Sequence, residues 1–132
     1  MLKENDIHQF LVSNQINYLE KSSICGVIFP NKTTYLLGPI AASMSLQYYI
    51  LHFNKEGIAI MGLNNVTGKI EEQTLVFIQN SEIESIQFTK KLMAYNLDIS
   101  TSHGNISYKV NKVMIGAGWH KYNLTQILNK YL

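Results

Sequence analysis

The strongest constraint on the fold is a two-residue alternation of apolar and polar side chains that begins at residue 93. Successive side chains of a β-strand point to opposite faces of the sheet, so such a run predicts a strand with one buried and one wet face. The alternation stops at residues 102–105, which have turn composition, and resumes at residue 106. We therefore predict a β-hairpin. Its expected inward-facing residues are Met93, Tyr95, Leu97, Ile99, Ile106, Tyr108 and Val110.

Shorter apolar runs upstream of this hairpin also predict strands, because they are β-branched and separated by turn residues. A tight turn over residues 54–57 ends in Gly57, which has the backbone freedom that such a turn needs. Residues 69–72 come directly before the run at residues 74–79, and a turn at residues 80–81 separates that run from the last one. The predicted strands are residues 24–29, 33–37, 46–53, 58–63, 74–79 and 83–89.

The two ends of the chain have helical periodicity. At the N-terminus, Asn5 or Asp6 can cap a helix whose apolar stripe continues to Leu19 and stops at residues 20–23. At the C-terminus a second stripe follows residues 116–118, and Trp119 stands at its start. The residues of this stripe are His120, Leu124, Ile127, Leu128 and Tyr131.

The length of 132 residues and the absence of a linker or internal repeat indicate one α+β domain. An apolar fraction of 46% excludes intrinsic disorder. The single cysteine, Cys25, cannot form an internal disulfide, which is typical of a reducing compartment. The start of the chain is acidic where a signal peptide would be basic, and no apolar run reaches the length of a membrane span. We expect a cytoplasmic protein.

The charges are few and unevenly distributed. All 11 basic residues are Lys, and a formal charge of +2 disfavours a protein that holds nucleic acid by neutralising phosphates. Residues 85–132 nevertheless contain six Lys and one acid, Asp98. This excess indicates either a solvated face or a basic patch for an acidic partner or an anionic membrane. The candidate contact residues are Lys90, Lys91, Lys109, Lys112 and Lys121.

No catalytic or metal-binding motif stands out in the sequence. Cys25 lies in an apolar run, where a cysteine is usually a small core residue rather than a nucleophile. None of the four His lies three or four residues from another His or from Cys25, so no local metal pair exists. The acid pairs Glu71-Glu72 and Glu82/Glu84 have turn-rich flanks that favour solvated carboxylates. We therefore predict no catalytic residues, no metal and no cofactor.

A run of short antiparallel strands closed by a helix that begins with Trp119 resembles the bacterial pleckstrin-homology-like superfold. The resemblance rests on residues 49–58, on residues 83–88, and on residues 108–112 together with 118–120. It covers roughly residues 46–132, and the chain looks like small uncharacterised proteins of this type from low-GC Gram-positive bacteria. It implies an antiparallel β-barrel, or two near-orthogonal sheets, capped by the C-terminal helix. Residues 1–45 would add an N-terminal helix and strand to that core.

Members of this superfold bind phosphoinositides, peptides or partner proteins, so the fold alone does not decide the function. The absence of a catalytic motif and the lysine excess after residue 84 favour a binding module. Phosphoinositide-binding members with a similar shape use a basic signature on the first strand-turn-strand, whereas here Lys55 and Glu56 cancel in that turn. We therefore predict a non-catalytic binding or scaffolding module that recognises a protein partner or an anionic membrane surface. The alternative is a small-ligand-binding or enzymatic domain with a pocket between the N-terminal helix and the barrel.

Overall fold

The computed structural model describes residues 2–30 and 46–132 of the chain. Two helices, α1 (Glu4–Ser13) and α2 (Gly118–Tyr131), flank the strands of an antiparallel sheet. A short 3₁₀ turn, Asn80–Glu82, connects the fourth strand to the fifth. The strands are β1 (Ser23–Ile28), β2 (Tyr48–Phe53), β3 (Gly57–Leu63), β4 (Ile70–Gln79), β5 (Ile83–Lys90), β6 (Ala94–Thr101) and β7 (Gly104–Asn111).

The seven described strands form one sheet in the order β4-β3-β2-β1-β7-β6-β5. The α+β class with a helix at each end is confirmed, but the sheet is open, because β4 and β5 lie at its two ends and do not pair. The sheet therefore does not close into the barrel that was one form of the predicted fold. The 3₁₀ turn Asn80–Glu82 connects these two end strands. The Asn80 N–H donates to the Glu56 carbonyl, while the Glu82 carbonyl accepts from Ser102, so the turn is anchored at two different hairpins.

Strand β1 joins the two halves of the sheet. It pairs with β2 over residues 23–27 and with β7 through Val27 and Ile28. The first 45 residues thus supply the central strand of the sheet, so the sheet is not confined to residues 46–132. The predicted strand at residues 33–37 lies outside the described residues.

Apolar side chains fill both faces of the β1–β4 half. One face belongs to the larger core, which includes Leu51, Ile60, Leu97 and Tyr108 and against which Leu124 and Ile127 of α2 pack. The opposite face forms a second core beneath α1. That second core consists of Ile7, Leu11, Cys25, Ile50, Ala59 and Met61.

Helix α1 is shorter than its apolar stripe predicts. It ends at Ser13, and Gln15 adopts a left-handed φ of 61° that breaks the helical path. Ile16 and Tyr18 still pack against the second core, but from a non-helical segment. The predicted cap was also wrong. Lys3 holds the cap position, and its backbone N–H donates to Oδ2 of Asp6 at 2.9 Å.

The hairpin of β6 and β7 is confirmed, with Leu97 opposite Tyr108 and Ile99 opposite Ile106. Met93 is the exception, because it precedes β6 and is 72% exposed. Helix α2 buries His120, Leu124 and Ile127 as its periodicity predicts. None of the helices within the described residues is both long enough and apolar enough to cross a membrane.

Candidate binding surface

The structure brings three of the five candidate lysines to one end of the sheet. Lys90 is the last residue of β5, Lys91 lies in the turn that follows, and Lys112 comes directly after β7. The strand predicted over residues 83–89 therefore extends to Lys90. Lys109 and Lys121 lie elsewhere. Lys109 pairs with Asn96 on the wet face of β7, as predicted, and Lys121 is exposed on α2.

Hydrogen bonds hold the β5–β6 turn against the chain that leaves β7. The Lys91 N–H donates to the Ala94 carbonyl at 2.8 Å, which closes the turn. The Lys112 N–H donates to the Met93 carbonyl at 3.3 Å, and its Nζ donates to the Leu92 carbonyl at 3.5 Å. The Lys112 Nζ also lies 5.8 Å from the centroid of the Tyr95 ring. The Lys112 charge is therefore held beside the turn.

Four large apolar side chains are exposed in the same two segments. Leu92 and Ile115 are 88% and 91% exposed, so neither contributes to a core. Met93 and Val113 are also mostly exposed. We call residues 90–93 and 112–115 the basic–apolar end. Sequence reasoning missed Leu92, Val113 and Ile115, although apolar residues in a turn without Gly or Pro depart from ordinary turn chemistry and were a signal.

No acid lies in either segment of the basic–apolar end. The only acid after residue 84 is Asp98, whose Oδ1 accepts a hydrogen bond from the Ser107 hydroxyl at 2.6 Å. The positive charge of the three lysines is therefore not cancelled within their own segments.

Cys25 and His120 come together, but not as a nucleophile and its base. The Cys25 backbone N–H donates to Nδ1 of His120 at 3.0 Å, and Nε2 of His120 lies 2.6 Å from the Asn111 carbonyl. Because Nδ1 accepts, the proton of the neutral ring sits on Nε2. Burial raises the pKa of the Cys25 thiol to about 12, which strongly disfavours the reactive thiolate.

A second buried histidine, His52, lies within the sheet. Its Nε2 accepts from the Leu19 N–H at 3.0 Å, and its Nδ1 lies 2.7 Å from the Ser23 hydroxyl. The Nδ1–H therefore donates to the Ser23 oxygen, which is the reverse of the arrangement that activates a serine. Burial, with a smaller contribution from His8, lowers the pKa of His52 to about 4. Tyr18 stacks between these two imidazoles, with ring centroids 4.1 Å from His8 and 5.0 Å from His52.

The remaining candidate groups do not converge on a site. Glu71 accepts a hydrogen bond from the Asn64 side chain at 2.7 Å, and Glu72 and Glu84 are exposed. Among the described residues, no group of three His, Cys, Asp or Glu side chains is arranged to hold a metal ion.

An open cleft lies between α1 and the β3–β4 connection, with a volume of about 350 Å³. Phe10 and Ile70 supply apolar walls, and Asp6, Lys69 and Glu72 supply charges of both signs. The cleft occupies the region where the sequence placed the alternative small-ligand pocket.

Comparison of the chain with protein-family models, with curated proteins and with solved structures found no match.

Proposed function

We propose that this protein is a non-catalytic binding module that recognises a protein partner or an anionic membrane surface through its basic–apolar end. One observation carries the proposal: Lys90, Lys91 and Lys112 lie on the same two segments as the exposed Leu92 and Ile115, and these segments contain no acid. Uncompensated lysines attract anionic surfaces, and clustered exposed apolar side chains mark interaction sites.

The strand order supports the resemblance to pleckstrin-homology-like domains. The β1–β4 and β5–β7 halves meet at β1, and α2 packs on the core that they share. The turn with Lys55 beside Glu56 connects β2 to β3, so it is not the first strand-turn-strand of this sheet, where phosphoinositide-binding members carry their basic signature. The binding surface that we propose lies on other turns, the β5–β6 turn and the β7–α2 connection.

The probe for this proposal is a short polyglutamate peptide, titrated into the isotopically labelled protein and followed by amide chemical shifts. We expect the largest shifts at residues 90–93 and 112–115, with an affinity that falls as salt rises. Shifts spread evenly over the lysines of the whole chain would overturn the proposal.

A matched pair of variants sharpens the test. Replacing Lys90, Lys91 and Lys112 with Gln removes three charges from the basic–apolar end. Replacing Lys55, Lys69 and Lys130 with Gln removes the same charge from exposed positions elsewhere. We expect only the first variant to lose more peptide affinity than its change in net charge explains. An equal loss in both variants contradicts a localised surface.

The alternative of small-ligand binding draws its support from the cleft beside α1. A fragment screen by NMR tests it, because a ligand between Phe10 and Ile70 would shift the amides of Thr67 and Gly68, which also line the cleft. Fragment-induced shifts that avoid these residues would exclude the cleft as a ligand site.

A further inference from the structure

We infer that the basic–apolar end docks on an anionic lipid bilayer, with Leu92, Met93 and Ile115 entering the boundary between headgroups and acyl chains. The inference rests on the proposed function and names the surface that this end recognises. The lysines Lys90, Lys91 and Lys112 would lie at the level of the lipid phosphates.

The first support is the position of the apolar side chains beyond the last strand pair. Ala94 pairs with Asn111, and the β5–β6 turn and the β7–α2 connection continue past that pair. Leu92 and Ile115, at 88% and 91% exposed, are available for burial elsewhere. Their transfer from water into the acyl boundary is favourable in proportion to the apolar area removed from water.

The second support is the hydrogen bonding of the turn backbone. A turn that enters a bilayer must satisfy its main-chain polar groups internally, because the acyl region offers no partners. Here the Lys91 N–H donates to the Ala94 carbonyl, and the carbonyls of Leu92 and Met93 both accept from Lys112. The carbonyls of Leu92, Met93 and Ala94 are therefore already paired before the turn approaches a bilayer.

The third support is the placement of charge. Lys90 and Lys91 directly precede Leu92 in the chain, and Lys112 directly precedes Val113. A lysine can lay its aliphatic stem along an apolar surface while its ammonium stays among the headgroups. With no acid in either segment, the attraction to an anionic leaflet is unopposed locally.

The composition favours a bilayer over a protein partner. The centres of protein interfaces are enriched in aromatic residues and Arg and are depleted in Lys. The two segments of the basic–apolar end contain three Lys and no aromatic residue.

The experiment is sedimentation with vesicles of equimolar phosphatidylglycerol and phosphatidylcholine, compared with vesicles of phosphatidylcholine alone. We expect binding to the anionic vesicles only, weakening as salt rises. The variant Leu92→Ser with Ile115→Ser should bind the anionic vesicles about tenfold less tightly, because it removes the inserting side chains. The matched control is Val12→Ser with Val66→Ser, which removes exposed apolar side chains from α1 and the β3–β4 connection and should bind like the unmodified protein.

A spectroscopic readout distinguishes insertion from surface adsorption. The variant Leu92→Trp should show a blue shift of its emission on adding anionic vesicles, whereas Val66→Trp should show none beyond the shared background of Trp119. Binding that depends on the lysines but not on Leu92 and Ile115, with no blue shift, would overturn insertion.

The failures of the two proposals can be told apart. If the unmodified protein does not bind anionic vesicles at low salt, bilayer docking is overturned. Chemical shift changes with polyglutamate at residues 90–93 and 112–115 would then assign the surface to an acidic protein partner. If those segments respond to neither probe, the proposed function itself fails.

Discussion

Nδ1 of His120 accepts a hydrogen bond from the backbone N–H of Cys25, 95 residues earlier in the chain, over 3.0 Å. The other ring nitrogen lies 2.6 Å from the Asn111 carbonyl, so one imidazole links α2, β1 and the end of β7. Asn111 directly precedes Lys112. His120 thus fixes the base of the β7–α2 connection, which carries one half of the basic–apolar end.

Replacing His120 with Ala should therefore destabilise the protein strongly. The change leaves the Cys25 N–H and the Asn111 carbonyl without their partner and opens a cavity at a fully buried position. We expect a loss of about 2–4 kcal/mol in the free energy of unfolding, measured by urea denaturation. The control His103→Ala alters an exposed side chain in the β6–β7 turn and should change stability by less than about 0.5 kcal/mol. Equal effects in the two variants would contradict the role of His120.

Stability should fall as the solution is acidified below about pH 6.5, where histidines of the unfolded chain take up protons. Burial lowers the pKa of His52 to about 4 and lowers the pKa of His120 as well. In this window the unfolded state binds more protons than the native state, so the free energy of unfolding increases with pH. The contribution of His52 is fully present above about pH 6.5 and is lost as the pH falls to its folded pKa of about 4.

The measurement is the free energy of unfolding in urea between about pH 7.5 and pH 4.5. His52→Gln should flatten the curve by removing a contribution on the order of 3 kcal/mol. His103→Gln, at an exposed position, should keep the slope of the unmodified protein. A slope that survives in His52→Gln would assign the pH dependence to other groups.

Patterns of local origin were predictable from the sequence, whereas arrangements set by strand pairing were not. The β6–β7 hairpin follows from its alternation, but the same alternation wrongly included Met93, because nothing in the period marks where pairing stops. The stripe of α1 wrongly extended past Ser13, since Ile16 and Tyr18 contact the second core from a non-helical segment. Apolar spacing indicates which side chains are buried, but it does not fix the backbone geometry. Here Ile16 and Tyr18 are partly buried from a segment that is not helical.

For the candidate surface too, the local sequence pattern was predictable and the arrangement set by strand pairing was not. The lysine excess after residue 84 was visible in the sequence, but only strand pairing brings Lys112 beside the turn of Lys90 and Lys91. Pairing also places Lys109 on the wet face of the sheet, apart from that turn. The buried pair of Ser23 and His52, 29 residues apart, had no local signal at all.

Gly57 should tolerate no side chain. A Cβ at this position would lie 2.0 Å from the backbone carbonyl oxygen of Ile78, which cannot move without disturbing the β3–β4 pairing. We expect Gly57→Ala to destabilise the protein by about 3 kcal/mol or more in urea denaturation, and to lower the yield of folded protein. Gly118→Ala is the control, because a Cβ there meets no atom within 4 Å. A neutral Gly57→Ala would show that β4 does not approach Gly57 so closely.

Tyr108→Phe should leave stability unchanged or raise it by about 1 kcal/mol, against the usual direction of core substitutions. The Tyr108 side chain is fully buried, and its hydroxyl has no hydrogen-bond partner within the described part of the chain. Removing an unpaired buried hydroxyl while keeping the ring avoids its desolvation cost. Thermal unfolding checks this, with the exposed Tyr122→Phe as control. A loss above about 1 kcal/mol in Tyr108→Phe would reveal a partner for the hydroxyl.

The thiol of Cys25 should react only when the protein opens. It is 4% exposed, and its pKa of about 12 leaves almost no thiolate at neutral pH. We expect iodoacetamide to label the native protein at a rate that rises with urea in parallel with the unfolded fraction, because reaction requires opening. In the Cys25→Ala background, Ser81→Cys places a thiol at an exposed position and should be labelled at once in native protein. Labelling of native Cys25 as fast as this control would mean that β1 and α2 separate readily, which the shared His120 contact argues against.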